Sequence, residues 1–165
     1  MLDETAAGVF TIAVTPFLPD GALDLDSIDT MVDFYVSHRC TGLTILGMMG
    51  EAGKLSADES EAVVRRVVAR TDLPVVVGVS APGFAAMTAL ANTAMDAGAA
   101  GVMVAPPGNL RTDEQILGYY RTTAQMLGRI PFVLQDFPLV TGVQISTKVI
   151  LQIIEDCPTC VMLKH

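Results

Sequence analysis

The sequence predicts an α/β chain that carries about the first six strands of a parallel (β/α)8 barrel, a TIM barrel. Three observations predict it. Short, nearly all-apolar runs recur along the 165 residues, amphipathic stretches separate them, and no glycine-rich phosphate loop follows the first run. Apolar runs of this kind suit strands buried on both faces, and strict alternation with helices gives right-handed crossovers and a parallel sheet.

The strands are expected at Val9–Thr15, Gly42–Leu46, Pro74–Val79, Gly101–Ala105, Pro131–Gln135 and Cys160–Lys164. The helices are expected at Leu25–His38, Ser56–Arg70, Phe84–Ala97, Thr112–Leu127 and Ser146–Glu155. In the first helix Ile28, Met31, Val32 and Tyr35 share one stripe. Ser56 with Glu59 forms a capping-box pattern, Thr112 with Gln115 places a similar N-terminus, and Gly128 marks a stop. A doubly wound sheet is the alternative, but its phosphate loop is replaced here by Thr15-Pro16-Phe17.

A complete barrel of this type runs to about 250 residues. Residues 1–165 therefore read as a single, incomplete domain, with the first and sixth strands as open edges. The natural protein is expected to continue beyond His165.

Composition narrows the function. Hydrophobic residues make up 51% and charged residues 17%, which fits a globular chain with a sizeable core. The net charge of −8 and the lack of a basic run argue against a nucleic-acid partner. No apolar stretch is long enough for a membrane span and no signal-peptide pattern opens the chain. With an odd count of three cysteines, this suits a cytoplasmic protein. Cys157-Pro158-Thr159-Cys160 has a redox-motif spacing but lies between a helix end and a strand start. A reactive pair sits at a helix N-terminus, so redox and metal roles are set aside.

In barrels of this kind chemistry sits where strands end. Lys164 closes the apolar run Cys160-Val161-Met162-Leu163. Burial there would disfavour the ammonium form and free an amine to attack a ketone, whereas a lysine snorkelling to water is the ordinary alternative. His165, the next residue, is expected to face away from Lys164. The turn Gly47-Met48-Met49-Gly50-Glu51 can aim backbone N–H groups at one spot, as a carboxylate requires, or can be a plain βα turn. Glu51 is expected to accept from the amides of that loop.

Taken together, these residues resemble the dihydrodipicolinate synthase / N-acetylneuraminate lyase family of Schiff-base barrels. The resemblance covers essentially the whole chain. It rests on Gly8, Val14-Thr15-Pro16-Phe17, Asp20-Gly21, Gly47-x-x-Gly50-Glu51, Leu55-Ser56, Pro74-Val75, Gly78, Gly98 and Pro106. Pro138, Thr141, Gly142 and Leu163-Lys164 extend it to the end. The resemblance implies a lyase, aldolase or hydro-lyase acting on a 2-oxo acid such as pyruvate or its adducts. It implies an imine on Lys164, a homo-oligomer, and no metal or organic cofactor. The amides of Met48 and Met49 would hold the carboxylate, with Gln135 and Asp136 lining the pocket.

Departures from the family pattern are as informative. Met48 and Met49 replace paired hydroxyl residues, and a thioether relays no proton. Gln135 replaces the tyrosine that usually serves as acid and base, Asp136 replaces an asparagine, and Pro107-Gly108 replaces a tyrosine pair. Authentic dihydrodipicolinate synthase activity is therefore not expected. Asp136 becomes the nearest candidate for proton transfer, with a structural acceptor as its plainer role. The alternative is a catalytically degenerate relative that serves as a binding or scaffold protein.

Overall fold

The computed structural model describes residues 1–165. Six parallel strands lie in strict chain order: β1 (Phe10–Ile12), β2 (Gly42–Ile45), β3 (Val75–Gly78), β4 (Gly101–Val104), β5 (Phe132–Gln135) and β6 (Cys160–Lys164). The connecting helices are α1 (Leu25–Ser37), α2 (Ala57–Arg70), α3 (Phe84–Ala97), α4 (Asp113–Leu127), α5 (Pro138–Thr141) and α6 (Thr147–Asp156). A doubly wound sheet reverses its strand order midway. This sheet never does: each strand pairs only with its sequence neighbours, and the six form a curled part of a barrel.

Alternation along the strands sorts the apolar side chains into two layers. Leu43, Ile45, Val75, Val77, Val102, Val104, Phe132 and Leu134 join Ile28, Val32, Val64, Val67 and Tyr120 in one large core between sheet and helices. On the other face Val76, Met103 and Val133 meet Leu2, with Phe10 and Met162 beside them. The N-terminal segment thus closes the lower end of the barrel side, where Leu2 donates its N–H to the Ala100 carbonyl (2.6 Å).

The helix signals in the sequence act as expected. Ser56 accepts from the Glu59 amide (3.2 Å) while the Glu59 carboxylate accepts from the Ser56 amide (2.8 Å). Thr112 and Gln115 repeat the arrangement, and Gly128 caps α4 with φ of 62°. Two elements differ from the sequence reading. β1 is only three residues instead of seven: it pairs on one side alone, and its flanks Val9 and Val14 are exposed. The short helix α5 and a 3-10 turn over Ala52–Lys54 carry too little periodicity to show in the sequence.

Candidate functional site at the strand ends

The registers build a row across four strands. Gly78 pairs with Met103, Met103 with Val133, and Val133 with Met162, all on the barrel-facing side. Two residues further along each strand, the same row reads Ser80, Ala105, Gln135 and Lys164. Two links of it are seen directly: Gln135 pairs with Lys164, and the Ser80 hydroxyl accepts the Ala105 N–H at 2.8 Å. A cavity of about 600 Å³ opens over this row, lined among others by Met48, Ser80, Met103, Ala105, Gln135 and Val140.

The β2–α2 turn forms its other wall. At the end of β2, buried Leu46 takes a left-handed φ of 52°, which costs a branched side chain about 1–3 kcal/mol. The turn carries the Leu46 carbonyl over Gly78, so a Cβ at position 78 would overlap that oxygen. Thr15, from the end of β1, donates its hydroxyl to the Gly50 carbonyl (2.6 Å) and ties the turn down from the other side. The amides of Met48 and Met49 donate to no backbone carbonyl, so both N–H groups are available to an anion. Glu51 also has a left-handed φ, 54°, and its carboxylate pairs with Lys54 instead of the loop amides expected from sequence.

The site residues read from sequence are placed as follows. Met48 and Gln135 share the cavity wall, and Gln135 is buried. Met49 turns outward, 59% exposed, so only its backbone faces the turn. Lys164 stands beside the cavity, one strand past Gln135 and half-buried, with its ammonium 6.0 Å from the centre of the Phe137 ring. The full burial expected from its apolar strand is not reached, because β6 pairs on one side only and its Leu163 is exposed.

Asp136 is 5% exposed. Its amide donates to the Lys164 carbonyl (2.8 Å), and its carboxylate meets Nδ1 of His165 at 3.0 Å while Oδ1 has no partner. Burial pushes the Tyr120 phenol well above its ordinary range, with smaller additions from neighbouring charges. Alternation along the chain sends Asp136 to the face opposite Gln135, so it does not line the cavity, contrary to the expectation from sequence. Gln135 and Lys164 face the barrel instead. His165 thus shares the far side with Asp136, as strand alternation predicts.

Two groups were not singled out from sequence. Ser80 belongs to a strand end already expected from sequence, Gly78-Val79-Ser80, but its link to Ala105 appears only once the register of β3 against β4 is known. Lys54 reaches the cavity from the 3-10 turn.

Parallel strands in sequential order, with a cavity over their carboxyl ends, place the chain in the barrel class. The comparisons narrow this class. The model of the dihydrodipicolinate synthetase family matches residues 5–165, and the chain belongs to that family.

The 4-hydroxy-tetrahydrodipicolinate synthase of Sorangium cellulosum is 34% identical over 161 residues, covering 96% of this chain and 54% of that protein. The crystal structure of a dihydrodipicolinate synthase from Rhodopseudomonas palustris matches with a TM-score of 0.96 and 55% identity, covering 99% of this chain and 55% of the other. The Acinetobacter baumannii enzyme, complexed with pyruvate, matches with a TM-score of 0.88 and 28% identity over 95% of this chain and 54% of that one. The chain spans about half the length of the relatives it matches.

Proposed function

We propose that residues 1–165 form one incomplete barrel domain carrying the oxo-acid end of a Schiff-base lyase or aldolase, with Lys164 as the imine-forming residue. One observation carries the reading: Lys164 stands in register with Gln135 on the barrel-facing row, beside a cavity whose other wall is a turn with free amides. The relatives named as synthases, and the pyruvate in one of them, support the same chemistry.

In this reading the amides of Met48 and Met49 hold the carboxylate of pyruvate or a related 2-oxo acid. The Lys164 amine adds to the ketone carbon and a water leaves. The protonated imine then draws electrons from the neighbouring carbon–carbon or carbon–hydrogen bond. Gln135 orients the bound acid by hydrogen bonding and exchanges no proton. Asp136 holds the Lys164 carbonyl by its amide and His165 by its carboxylate. That arrangement supports a positioning role ahead of the proton-moving one considered from sequence. Homo-oligomeric assembly belongs to the same proposal, although one related structure is described as a monomeric dihydrodipicolinate synthase variant.

One observation favours a second reading, a binding protein that has lost turnover: the buried group in the cavity wall beside Lys164 is a non-titrating amide, Gln135. Turnover of a panel of 2-oxo acids and their aldol adducts separates the two. The lyase reading predicts turnover that falls by at least about 10³-fold in Lys164→Arg, since a permanently charged guanidinium forms no imine. Binding without turnover across the panel would leave the second reading standing.

A further inference from the structure

We propose that the cavity takes a 2-oxo acid whose remote end is an uncharged alkyl or aryl group, and disfavours one that ends in a second carboxylate. The inference rests on the Schiff-base reading for the oxo-acid end. For the remote end it rests on the lining of the cavity.

A cavity of about 600 Å³ leaves ample room beyond pyruvate. In that reading the carboxylate sits on the Met48 and Met49 amides and the ketone carbon meets Lys164. The rest of the acid is left to the surface between them. That surface is Met103 on the floor, Ala105 and Gln135 at the ends of β4 and β5, and Val140 on α5. Met103, Ala105 and Val140 are apolar, and Met48 adds its thioether from the turn. Gln135 can hydrogen-bond but carries no charge.

Only two charged side chains line the cavity, Glu51 and Lys54, and they pair with each other. Together they contribute no net charge. A second carboxylate would have to draw Lys54 away and leave Glu51 unpaired beside a like charge. Failing that, it would lie against methionine and valine, losing its hydration without a partner. An apolar group in the same place meets neither cost and covers Met48, Met103 and Val140 from water.

The rim of the cavity points the same way. Val140 is 59% exposed, and its neighbour Leu139 and Met49 of the β2–α2 turn are exposed as well. Large apolar side chains gathered at the mouth of a cavity are surface that an apolar ligand covers.

The test is calorimetric binding of 2-oxohexanoate and 2-oxohexanedioate, which share one carbon chain and differ at its remote end. It is run on the wild type, on Val140→Lys and on Leu151→Lys. Leu151 is exposed on α6 and lines no part of the cavity, so its variant adds the same charge elsewhere. Borohydride trapping with pyruvate is run in parallel on the wild type. The wild type should bind 2-oxohexanoate at least about tenfold more tightly. Val140→Lys should bring the ratio to about one or reverse it, and Leu151→Lys should leave it unchanged. That pattern with a pyruvate adduct supports both readings. The same pattern without an adduct supports the apolar subsite and overturns the imine alone. Equal wild-type affinities, or a preference for the diacid, overturn the subsite whatever the trapping shows. So does a ratio that Val140→Lys leaves unchanged, or that Leu151→Lys shifts as far. A folded protein that binds neither acid overturns it too.

Discussion

Gly78 and Leu46 show how one residue's freedom sets another's position. Leu46 turns left-handed at the end of β2, and its carbonyl passes over Gly78, which has no side chain to meet it. The turn that presents the Met48 and Met49 amides starts from that bend. Gly78→Ala forces backbone against a new methyl group, so the loop must shift. We expect a loss of about 1–3 kcal/mol in denaturant unfolding, together with weaker binding of any carboxylate that the turn holds. Unchanged stability in Gly78→Ala would show that the turn adapts freely. The motif Gly47-x-x-Gly50-Glu51 was legible in the sequence, and so was the lysine. Leu46 was not, because nothing in its chemistry announces a positive φ. Gly78-Val79-Ser80 was legible as a strand end, but the alignment of Ser80 with the ends of the neighbouring strands appears only with the register.

At the scale of elements, the connection from α6 to β6 decides what the paired cysteines can do. Cys157 closes α6 and Cys160 opens β6, with the Cys160 amide donating to the Cys157 carbonyl (2.8 Å). Both side chains are buried in the core between sheet and helices. Burial pushes both thiols up, Cys160 to about 11, so at pH 8 the reactive thiolate is scarce. Raising the pH towards 11 should expose that reactivity only as the thiol ionises. We therefore expect iodoacetamide at pH 8 to leave both cysteines unmodified in the folded protein and to label them after denaturation. Peptide mass mapping reads the outcome, and rapid native labelling of either one would restore a redox role. Context in the sequence, a helix end and not a helix start, was enough to set the motif aside. The other elements were legible where capping and periodicity were strong, as at Ser56–Glu59 and Thr112–Gln115. They were least legible at β1, whose apolar run continues past the point where it has a partner to pair with.

For the whole molecule, strand order is the decisive fact. Sequential pairing from β1 to β6 makes the sheet curl and brings the strand ends around one cavity, and it leaves the outer edges of β1 and β6 unpaired. On the β6 side Leu151, Ile154 and Leu163 are exposed. Backbone amides in edge strands open more readily than those held from both sides. Hydrogen exchange should therefore be faster in β1 and β6 than in β2 to β5. Slow exchange in β6 would mean that another surface covers that edge in solution. The barrel class was legible from alternation and from the missing phosphate loop. The partial exposure of Lys164 was not, because burial of a strand's end depends on what lies on both of its sides.

Lys164 carries the proposed imine chemistry, and reductive trapping tests that role most directly. The protein is incubated with pyruvate and borohydride, digested, and mapped by peptide mass spectrometry. We predict an adduct on Lys164 that is absent from Lys164→Ala. A folded protein that gives no adduct with pyruvate or with a wider set of 2-oxo acids would contradict the Schiff-base reading and leave a binding protein in its place.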